Sequence, residues 1–283
     1  MNYSTSRRRF FGGLGGALAA AASAAGTAAA ATSDAAAGDL KLGVASYSLR
    51  AFQRRTAIGI IKKLGITNVN IKDFHLPMNL SPAEIRAGAA EFTKAGLTIL
   101  GGGTVDFKKD DEADFRMKFE YAKNAGMPLI VAAPSATTLP KLEKYVKEYN
   151  IKLAVHNHGT EDPIFPNPQA VLAIVKDMDP RVGCCIDIGH TVRTGVDLID
   201  TVKMVGSRLL DMHTKDLADM SKRDSQVVVG EGKIPIALLF KTLKAMNYQG
   251  GVMLEYEIDE DNPLPGMQRS FSYMRGVLAG LRA

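Results

Sequence analysis

The chain has 283 residues, of which 46% are hydrophobic and 23% charged, and its formal net charge is +5. Length alone does not choose between one large α/β domain and two small ones. The charge is weak for a nucleic-acid-binding protein, and no dense Lys/Arg patch with interleaved aromatic residues occurs, so no nucleic-acid partner is expected.

The first 38 residues predict an export signal. Residues 4–11 read STSRRRFF, and the next twenty residues are almost entirely Ala, Gly and Leu. The stretch resembles a twin-arginine signal with Arg7 and Arg8 as the pair. It is too short and too weakly apolar for a stable membrane span. The alternative is a disordered Ala-rich tail.

Cleavage near residue 38 would leave residues 39–283 as one domain in the periplasm or otherwise outside the cell. The cleavage site itself is uncertain, because small residues are abundant here. Without Arg7, Arg8, Arg9 and Asp34, the 35 basic and 30 acidic residues become 32 and 29, a net charge near +3. The twin-arginine route exports folded proteins, often with a cofactor already loaded, which suits a metalloprotein.

The two cysteines, Cys184 and Cys185, are adjacent in an apolar run. In a strand their side chains face opposite sides, so they do not form a disulfide framework despite the oxidising destination.

From Asp39 onward, short β-type runs alternate with amphipathic helical stretches, the pattern of βα units. Helix ends are marked in places, as where Ser81, Pro82 and Glu84 predict a capped helix start and Gly96 its stop. The eight predicted strands span 41–49, 68–74, 98–105, 129–134, 152–158, 182–190, 209–216 and 251–257.

Eight βα repeats in about 245 residues predict an α/β fold of the (β/α)₈ TIM-barrel class, which typically needs about 250 residues. A doubly wound open sheet is the competing arrangement. It needs fewer strands and usually a Gly-rich phosphate-binding turn after the first one, and GGG at 101–103 lies within the third strand instead.

The last four predicted strands end in residues of the metal-ligand types. Side chains alternate across a strand, so His156 and His158 share one face while Asn157 takes the other. The remaining ligand-type residues at these ends are Asp187 and His190 on the sixth strand, His213 on the seventh, and Glu255 and Glu257 on the eighth.

Carboxylates and imidazoles on the inner face of a barrel carry a heavy desolvation cost. A divalent cation converts that cost into coordination. One ligand from each strand, namely His156, Asp187, His213 and Glu255, predicts a mixed nitrogen and oxygen site for one Mn²⁺, Co²⁺, Fe²⁺ or Zn²⁺ ion. Each residue taken singly is as well explained by a structural hydrogen bond; four on consecutive strands are not.

Ordered motifs along the chain resemble the xylose-isomerase-like TIM-barrel superfamily, the sugar phosphate isomerase/epimerase group. These motifs are HNHG at 156–159, DIGHT at 187–191, HTKD at 213–216, GEGKIP at 230–235 and a final strand ending in Glu257. The resemblance implies that Asp187, His213 and Glu255 bind the metal, that His190 contacts substrate, and that the substrate is a small carbohydrate.

One position departs from the family pattern. Epimerases of the family usually carry Glu at the end of the fifth strand, where this chain has His156. An imidazole whose lone pair is committed to a metal cannot also transfer protons. We therefore expect His158, Glu255 and Lys215 to be the catalytic candidates.

The resemblance implies a metal-dependent sugar isomerase or epimerase. Because His156 departs from the family pattern, an alternative interpretation is a lyase or hydratase acting on 3-keto-sugars or 3-keto-glycosides. A non-catalytic exported sugar-binding barrel is the alternative from another class. The superfamily's DNA-cutting endonuclease-IV branch uses three zinc ions, more than the early strands here can ligate.

Further substrate contacts are expected around this site. Glu257 shares the inward face with Glu255, and Lys72 is inward on the second strand because Val69 and Ile71 mark its outer face. The other candidates are His75, in the loop after that strand, and Arg193, just past DIGHT, for which a surface role is the alternative. Lys215 could instead be solvent-exposed and paired with Asp216. Oligomeric state is open.

Overall fold

Eight parallel strands close into a barrel in the computed structural model, which describes residues 40–282. All eight lie where the sequence predicts strands, which confirms the (β/α)₈ class. In chain order, the first to eighth barrel strands are Lys41–Ala45, Asn68–Ile71, Thr98–Phe107, Leu129–Pro134, Lys152–His156, Val182–Asp187, Leu209–Thr214 and Gly251–Leu254.

The helices of the described residues cover the outside of the barrel. They are α1 (Arg54–Lys63), α2 (Pro82–Lys94), α3 (Glu112–Asn124), α4 (Leu139–Tyr149), α5 (Pro168–Val175), α6 (Ile188–Arg193), α7 (Leu198–Val205), α8 (Ile236–Ala245) and α9 (Leu264–Gly280). Helix α2 begins as predicted, because the Ser81 side chain accepts from the Glu84 backbone N–H while the Glu84 side chain reaches back to Ser81.

Apolar side chains divide between two unequal cores. The large one lies between the strands and the helices, whereas the barrel interior holds only a small cluster of Leu129, Val131, Ala154 and Cys185. Cys184 packs in the outer core and Cys185 in the inner one, and both are free thiols, as the strand parity predicts. Because the apolar cluster inside the barrel is small, polar side chains occupy the interior at the carboxyl ends of the strands.

The strand register brings the carboxyl ends of the later strands to one level. His156 pairs with Cys185, Asp187 with His213, and Thr214 with Leu254 across successive parallel neighbours. The first strand pairs with both the second and the eighth, which closes the barrel. The polar ends of the fifth to eighth strands therefore surround a common mouth.

Some predicted strands are too long. The first strand ends at Ala45 and continues as a 3₁₀ turn, and the sixth ends at Asp187, which caps helix α6 by accepting from the His190 backbone N–H at 2.8 Å. A short antiparallel ribbon of Asp216–Leu217 with Gln226–Val227, which the sequence does not predict, follows the seventh strand.

None of the helices within residues 40–282 is long and apolar enough to cross a membrane. The predicted signal peptide at residues 1–38 lies outside the described residues.

Candidate metal centre

The four predicted ligands meet at the mouth of the barrel. One ligand atom from each of His156, Asp187, His213 and Glu255 lies within 4.8 Å of the other three. All four residues are buried, although none lies in an apolar cluster. Their common position follows from the register of four consecutive strands, as the sequence predicts.

Individual distances show how tightly these atoms converge. The Nε2 atom of His156 lies 3.1 Å from Nδ1 of His213 and 3.6 Å from Oδ2 of Asp187. Nδ1 of His213 is in turn 3.2 Å from Oε1 of Glu255. Two imidazole nitrogens and two carboxylate oxygens thus point at one small volume.

The charge of this cluster is not balanced by the protein. The buried Nζ of Lys215 lies 3.0 Å from Asp187, 2.9 Å from Glu255 and 2.6 Å from Glu257. With His213 neutral, one ammonium against three carboxylates leaves two negative charges in a buried site, which a divalent cation would neutralise.

Protonation of the two histidine ligands differs. Burial lowers the pKa of His156 to about 4, so its imidazole is neutral and its lone pairs are available. Burial also lowers the pKa of His213, but the nearby Glu255 carboxylate outweighs this and raises that pKa to about 9. A proton on His213 stands in for part of the positive charge that the cluster needs.

The residues present fit a divalent cation. Oδ2 of Asp187 is buried and makes no hydrogen bond, although the Lys215 ammonium lies 3.0 Å from it as an ion pair. The ring nitrogens directed at the cluster are Nε2 of His156 and Nδ1 of His213, so two nitrogens and two carboxylate oxygens are in place for one ion. Cys185 is also within range of both histidines. Its burial raises the pKa of the thiol well above the usual value, so it stays protonated and the mixed nitrogen and oxygen set is the better site.

A cavity of about 870 Å³ opens directly above this cluster. His158 and His190 line one wall, with their ring centroids 6.1 Å apart and that of His158 4.6 Å from His156. Asn157 points the other way, where its side chain contacts Thr191 and the Asp187 backbone. The predicted parity of the HNH triplet is confirmed.

Neighbouring side chains fix this histidine wall. Nδ1 of His158 lies 3.3 Å from Oδ2 of Asp162, and Nδ1 of His190 accepts from Arg193 at 2.7 Å. Arg193 also pairs with Glu161 at 2.8 Å, so it acts as a support for the wall as well as lining the cavity. Burial lowers the pKa of both His158 and His190, the latter to about 4, so both are neutral at neutral pH. Because Arg193 occupies the Nδ1 lone pair of His190, His158 is the histidine of this wall that can accept a proton.

Lys215 and Glu257 form a second wall of the cavity. The Lys215 side chain crosses Gly189, where a Cβ atom would come within 2.7 Å of its Cγ and Cδ atoms. The glycine of DIGHT is therefore required for Lys215 to reach the cluster, and the alternative pairing of Lys215 with Asp216 is wrong. Burial raises the pKa of Glu257.

Of the two substrate-contact candidates on and after the second strand, only Lys72 reaches the cavity. Lys72 lines the cavity and donates to the Thr104 carbonyl at 2.7 Å. His75 does not line the cavity: it is 1% exposed, and its two ring nitrogens contact Ser46 Oγ at 2.9 Å and the Leu49 carbonyl at 3.1 Å. The prediction that His75 contacts substrate is therefore wrong, because both nitrogens are already used within the protein.

Sequence reasoning missed several residues that support or line the site. Asp211 lies beneath His213, Asp216 fixes the glycine-rich loop, Gln226 holds the end of the eighth strand, and Tyr47 and Arg50 line the cavity. The inward parity of Asp211, and the position of Asp216 beside His213, were available signals. Nothing in the sequence pattern distinguishes Tyr47, Arg50 or Gln226.

Asp211 completes a polar layer below the cluster. It accepts from Asn70 at 2.7 Å and from the Cys185 thiol at 3.7 Å, and its Oδ2 lies 3.9 Å from Nε2 of His213. Burial raises its pKa to about 7. This carboxyl group lies beside the Nε2 edge of the His213 ring, which points away from the cluster, at a distance too long for a hydrogen bond.

Comparison with known proteins agrees with this architecture. Inosose dehydratase of Mesomycoplasma hyopneumoniae (strain 7448) is 28% identical over 164 residues, which are 51% of this chain and 54% of that protein. The chain thus spans about half the length of the curated relatives that it matches.

Solved structures share the fold over nearly their whole length. A structure of the IOLI protein with a bound zinc atom superposes with a TM-score of 0.72 at 18% identity, covering 85% of this chain and 99% of that one. D-Psicose 3-epimerase of Clostridium cellulolyticum H10, solved with D-tagatose, gives 0.69 at 18% identity, covering 84% and 99%.

The decisive match is to a family model described as Xylose isomerase-like TIM barrel, which covers residues 58–277. The second to eighth barrel strands and the four ligand-type residues at the mouth lie within that range. The chain belongs to the xylose isomerase-like TIM barrel family.

Proposed function

We propose that the protein is a divalent-metal-dependent enzyme that moves a proton at a carbon next to a carbonyl of a carbohydrate or polyol. One observation carries this proposal: four ligand-type side chains converge under a cavity whose two walls hold proton carriers outside the ligand set. A site that only binds a sugar needs no proton carriers in addition to a metal-ligand set.

The cofactor in this proposal is one Mn²⁺, Co²⁺, Fe²⁺ or Zn²⁺ ion held by His156, Asp187, His213 and Glu255. When bound, such an ion polarises a carbonyl oxygen and so acidifies the neighbouring C–H bond. The zinc in the IOLI structure and the D-tagatose in the epimerase structure belong to relatives of the same fold, and they support this assignment by analogy.

Proton transfer falls to the cavity walls. His158 is neutral, faces the cavity and is oriented by Asp162, so it can accept the carbon-bound proton. On the second wall, Lys215 and Glu257 are joined at 2.6 Å and can hold or return a proton. Glu255 contacts both His213 and Lys215, which suits a ligand better than a free base.

Isomerisation or epimerisation is the leading reaction. The proton leaves carbon to His158, the electron pair moves into an enolate, and a proton from the Lys215–Glu257 wall adds to carbon. When it adds to the other face of the same carbon, that carbon is epimerised. The presence of two separate proton carriers, His158 and the Lys215–Glu257 pair, supports this reaction.

Elimination or hydration on 3-keto-sugars is the second candidate, favoured by His156. Family epimerases place a carboxylate there, and a relative with 28% identity is named a dehydratase. The same enolate expels a β-oxygen substituent, which leaves with a proton from the Lys215–Glu257 wall as a C=C bond forms. Hydration is the reverse.

Incubation of the metal-loaded protein with keto-sugars in D₂O, followed by NMR, tests the proposal. Deuterium at the carbon next to the carbonyl of an epimer supports the leading reaction, and an unsaturated product supports elimination. Sugar binding without deuterium incorporation or product would contradict catalysis and favour a non-catalytic binding barrel.

We also propose that the protein is exported by the twin-arginine route, which the STSRRRFF segment supports. Cell fractionation and intact mass of the exported protein test this. Replacing both Arg7 and Arg8 with Lys should retain the full-length chain inside the cell. Unchanged export of that variant would contradict the proposal.

A further inference from the structure

The cavity is larger than the chemistry requires. The ligand-type residues and both proton-carrying walls come from the fifth to eighth strands, whereas Tyr47, Arg50, Lys72, Thr104 and Lys108 line it from the segments of the first three strands. Pockets of about 300–1,000 Å³ hold drug-sized ligands, so a cavity of about 870 Å³ exceeds the need of one sugar ring. This part of the mouth thus has no role in the proposed proton transfer.

An aromatic pair lies at this part of the cavity, with Tyr47 in the lining and Phe74 packed against Tyr47. The ring centroids of Tyr47 and Phe74 are 6.0 Å apart, and Phe74 is 55% exposed, more than any other large apolar side chain in residues 40–282. An exposed aromatic ring beside a cavity offers a rigid apolar face for contact with a ligand. Sugar rings and aromatic groups both present C–H or π faces that pack on such rings.

The pair is backed by a fixed guanidinium. The Arg50 side chain lies over the Tyr47 ring at 4.8 Å from its centroid and is anchored by Glu260 at 2.8 Å and the Glu257 carbonyl at 3.3 Å. Tyr47, Arg50 and Phe74 together are termed the outer shelf. Because Arg50 is tied to the backbone of the reactive eighth-strand end, the outer shelf has a fixed position relative to the metal centre.

The charges around the cavity are unsuited to a phosphorylated ligand. Four of the six basic side chains that line it contact carboxylates in the protein, in the pairs Arg50–Glu260, Lys72–Asp73, Arg193–Glu161 and Lys215 with its three acids.

The other two basic side chains, Lys108 and Arg223, are exposed, and Asp162 and Asp224 line the same cavity. A phosphate group brings close to two negative charges, which cavities meet with unpaired basic side chains or backbone N–H groups. This distribution favours an uncharged ligand.

We propose that the outer shelf binds the second ring of an uncharged glycoside whose first ring lies over His156, Asp187, His213 and Glu255. The placement of the first ring rests on the proposed function; the outer shelf is an additional binding site. The second ring is another sugar or an aromatic group, joined through a glycosidic oxygen.

Binding of non-reacting glycosides to the zinc-loaded full chain tests this. The probes are methyl and phenyl glycosides of glucose and galactose, with dissociation constants from calorimetry. Stacking predicts that phenyl glycosides bind roughly threefold to tenfold more tightly than methyl glycosides. Glucose 6-phosphate should bind no more tightly than glucose. Equal binding of phenyl and methyl glycosides, or tenfold tighter binding of the phosphate, would overturn the proposal.

Variants locate the effect. Phe74→Ala and Tyr47→Ala should bring the phenyl-to-methyl ratio close to one, while methyl glycosides bind as before. Leu238→Ala is the matched control, because Leu238 is 51% exposed on helix α8, outside the barrel mouth. Phe74 is exposed, so its removal leaves folding intact, which thermal unfolding verifies. An unchanged phenyl-to-methyl ratio in Phe74→Ala and Tyr47→Ala would show that other residues cause the preference for phenyl glycosides, and it would overturn the proposal.

This test is separable from that of the proposed function. Glycoside binding that depends on Tyr47 and Phe74, together with no deuterium incorporation from D₂O, would keep the outer shelf and reject catalysis. Deuterium incorporation with equal binding of phenyl and methyl glycosides would do the opposite.

Discussion

His156 is the residue that distinguishes this site from the epimerase pattern of its family. Its imidazole is neutral and lies 3.1 Å from His213, in the position of a ligand and not of a free base. A carboxylate there would add a negative charge and a second group able to exchange protons with substrate. At the residue scale, the proposed function therefore predicts that position 156 decides between epimerisation and elimination.

His156→Glu should raise the ratio of epimerised to eliminated product without abolishing metal binding, because carboxylate oxygen remains a ligand for the same ions. NMR of the products from one keto-sugar measures the ratio. His156→Ala is the control, since it removes the ligand without supplying a carboxylate. An unchanged product ratio in His156→Glu would show that another residue decides the reaction.

His158→Ala should retain stoichiometric metal and lower turnover by roughly a hundredfold to ten-thousandfold, the usual contribution of a general base. Elemental analysis and steady-state rates measure the two effects. Asp162→Asn should give a smaller loss, because it removes only the carboxylate 3.3 Å from the ring. Full activity in His158→Ala would exclude this residue from the mechanism.

At the scale of elements, the segment from Asp216 to Pro235 supports the reactive end of the eighth strand. The buried Asp216 carboxylate accepts from the backbone N–H groups of Gly230, Gly232 and Ile234. Within the same segment, Gln226 donates to the Glu255 carbonyl at 2.7 Å and accepts from the Glu257 N–H at 3.1 Å. Asp216 thus fixes a loop that in turn positions Glu255 and Glu257.

Asp216→Asn should lower the free energy of unfolding by about 1–3 kcal/mol, because its amide nitrogen cannot accept from these N–H groups. Turnover should fall as well. Urea denaturation and rate measurements check this, with Asp200→Asn, an exposed acid on helix α7, as the control that leaves both unchanged. Equal stability of the Asp216 variant and the wild type would remove the supporting role.

His75 joins the segments that follow the first two strands. Ser46 Oγ accepts from the Lys72 N–H, so its hydroxyl donates to Nδ1 of His75 while Nε2–H donates to the Leu49 carbonyl. The neutral ring is therefore fully hydrogen-bonded. Burial lowers its pKa below the ordinary value of 6.5.

Because the unfolded chain takes up this proton near pH 6.5 and the folded chain only at lower pH, His75 reduces stability as pH falls through that interval. His75→Leu should cost about 1–3 kcal/mol at pH 7.5, since it leaves Ser46 and Leu49 without partners. It should also lose less stability than the wild type between pH 7 and pH 5. Parallel pH profiles of urea unfolding would contradict this role.

At the scale of the whole molecule, the sequence predicts the barrel and its metal mouth, because both depend on periodicity. Eight alternating runs locate every barrel strand, and parity at His156, Asp187, His213 and Glu255 predicts a shared face that the register then brings to one level. Strand ends are predicted less well: Asp187 caps helix α6, so His190 follows the strand instead of ending it.

Periodicity and strand parity do not predict the contacts that form only when the barrel closes. Tyr47, Arg50 and Gln226 reach the cavity because the first and eighth strands pair across 200 residues of sequence, and no local pattern marks them. The error at His75 has the same origin, since its partners lie on a separate segment. Whether a polar residue supports the site or faces the substrate thus depends on its contacts with distant segments of the chain, and its residue type alone does not predict this.

The proposed function depends on a cation held by the four ligand-type residues. Anomalous diffraction from crystals grown with zinc is the most direct test of this cation. The expected result is one zinc peak at about 2.0–2.2 Å from nitrogen atoms of His156 and His213 and oxygen atoms of Asp187 and Glu255. No peak at the barrel mouth, with these side chains paired only to one another and to Lys215, would contradict it.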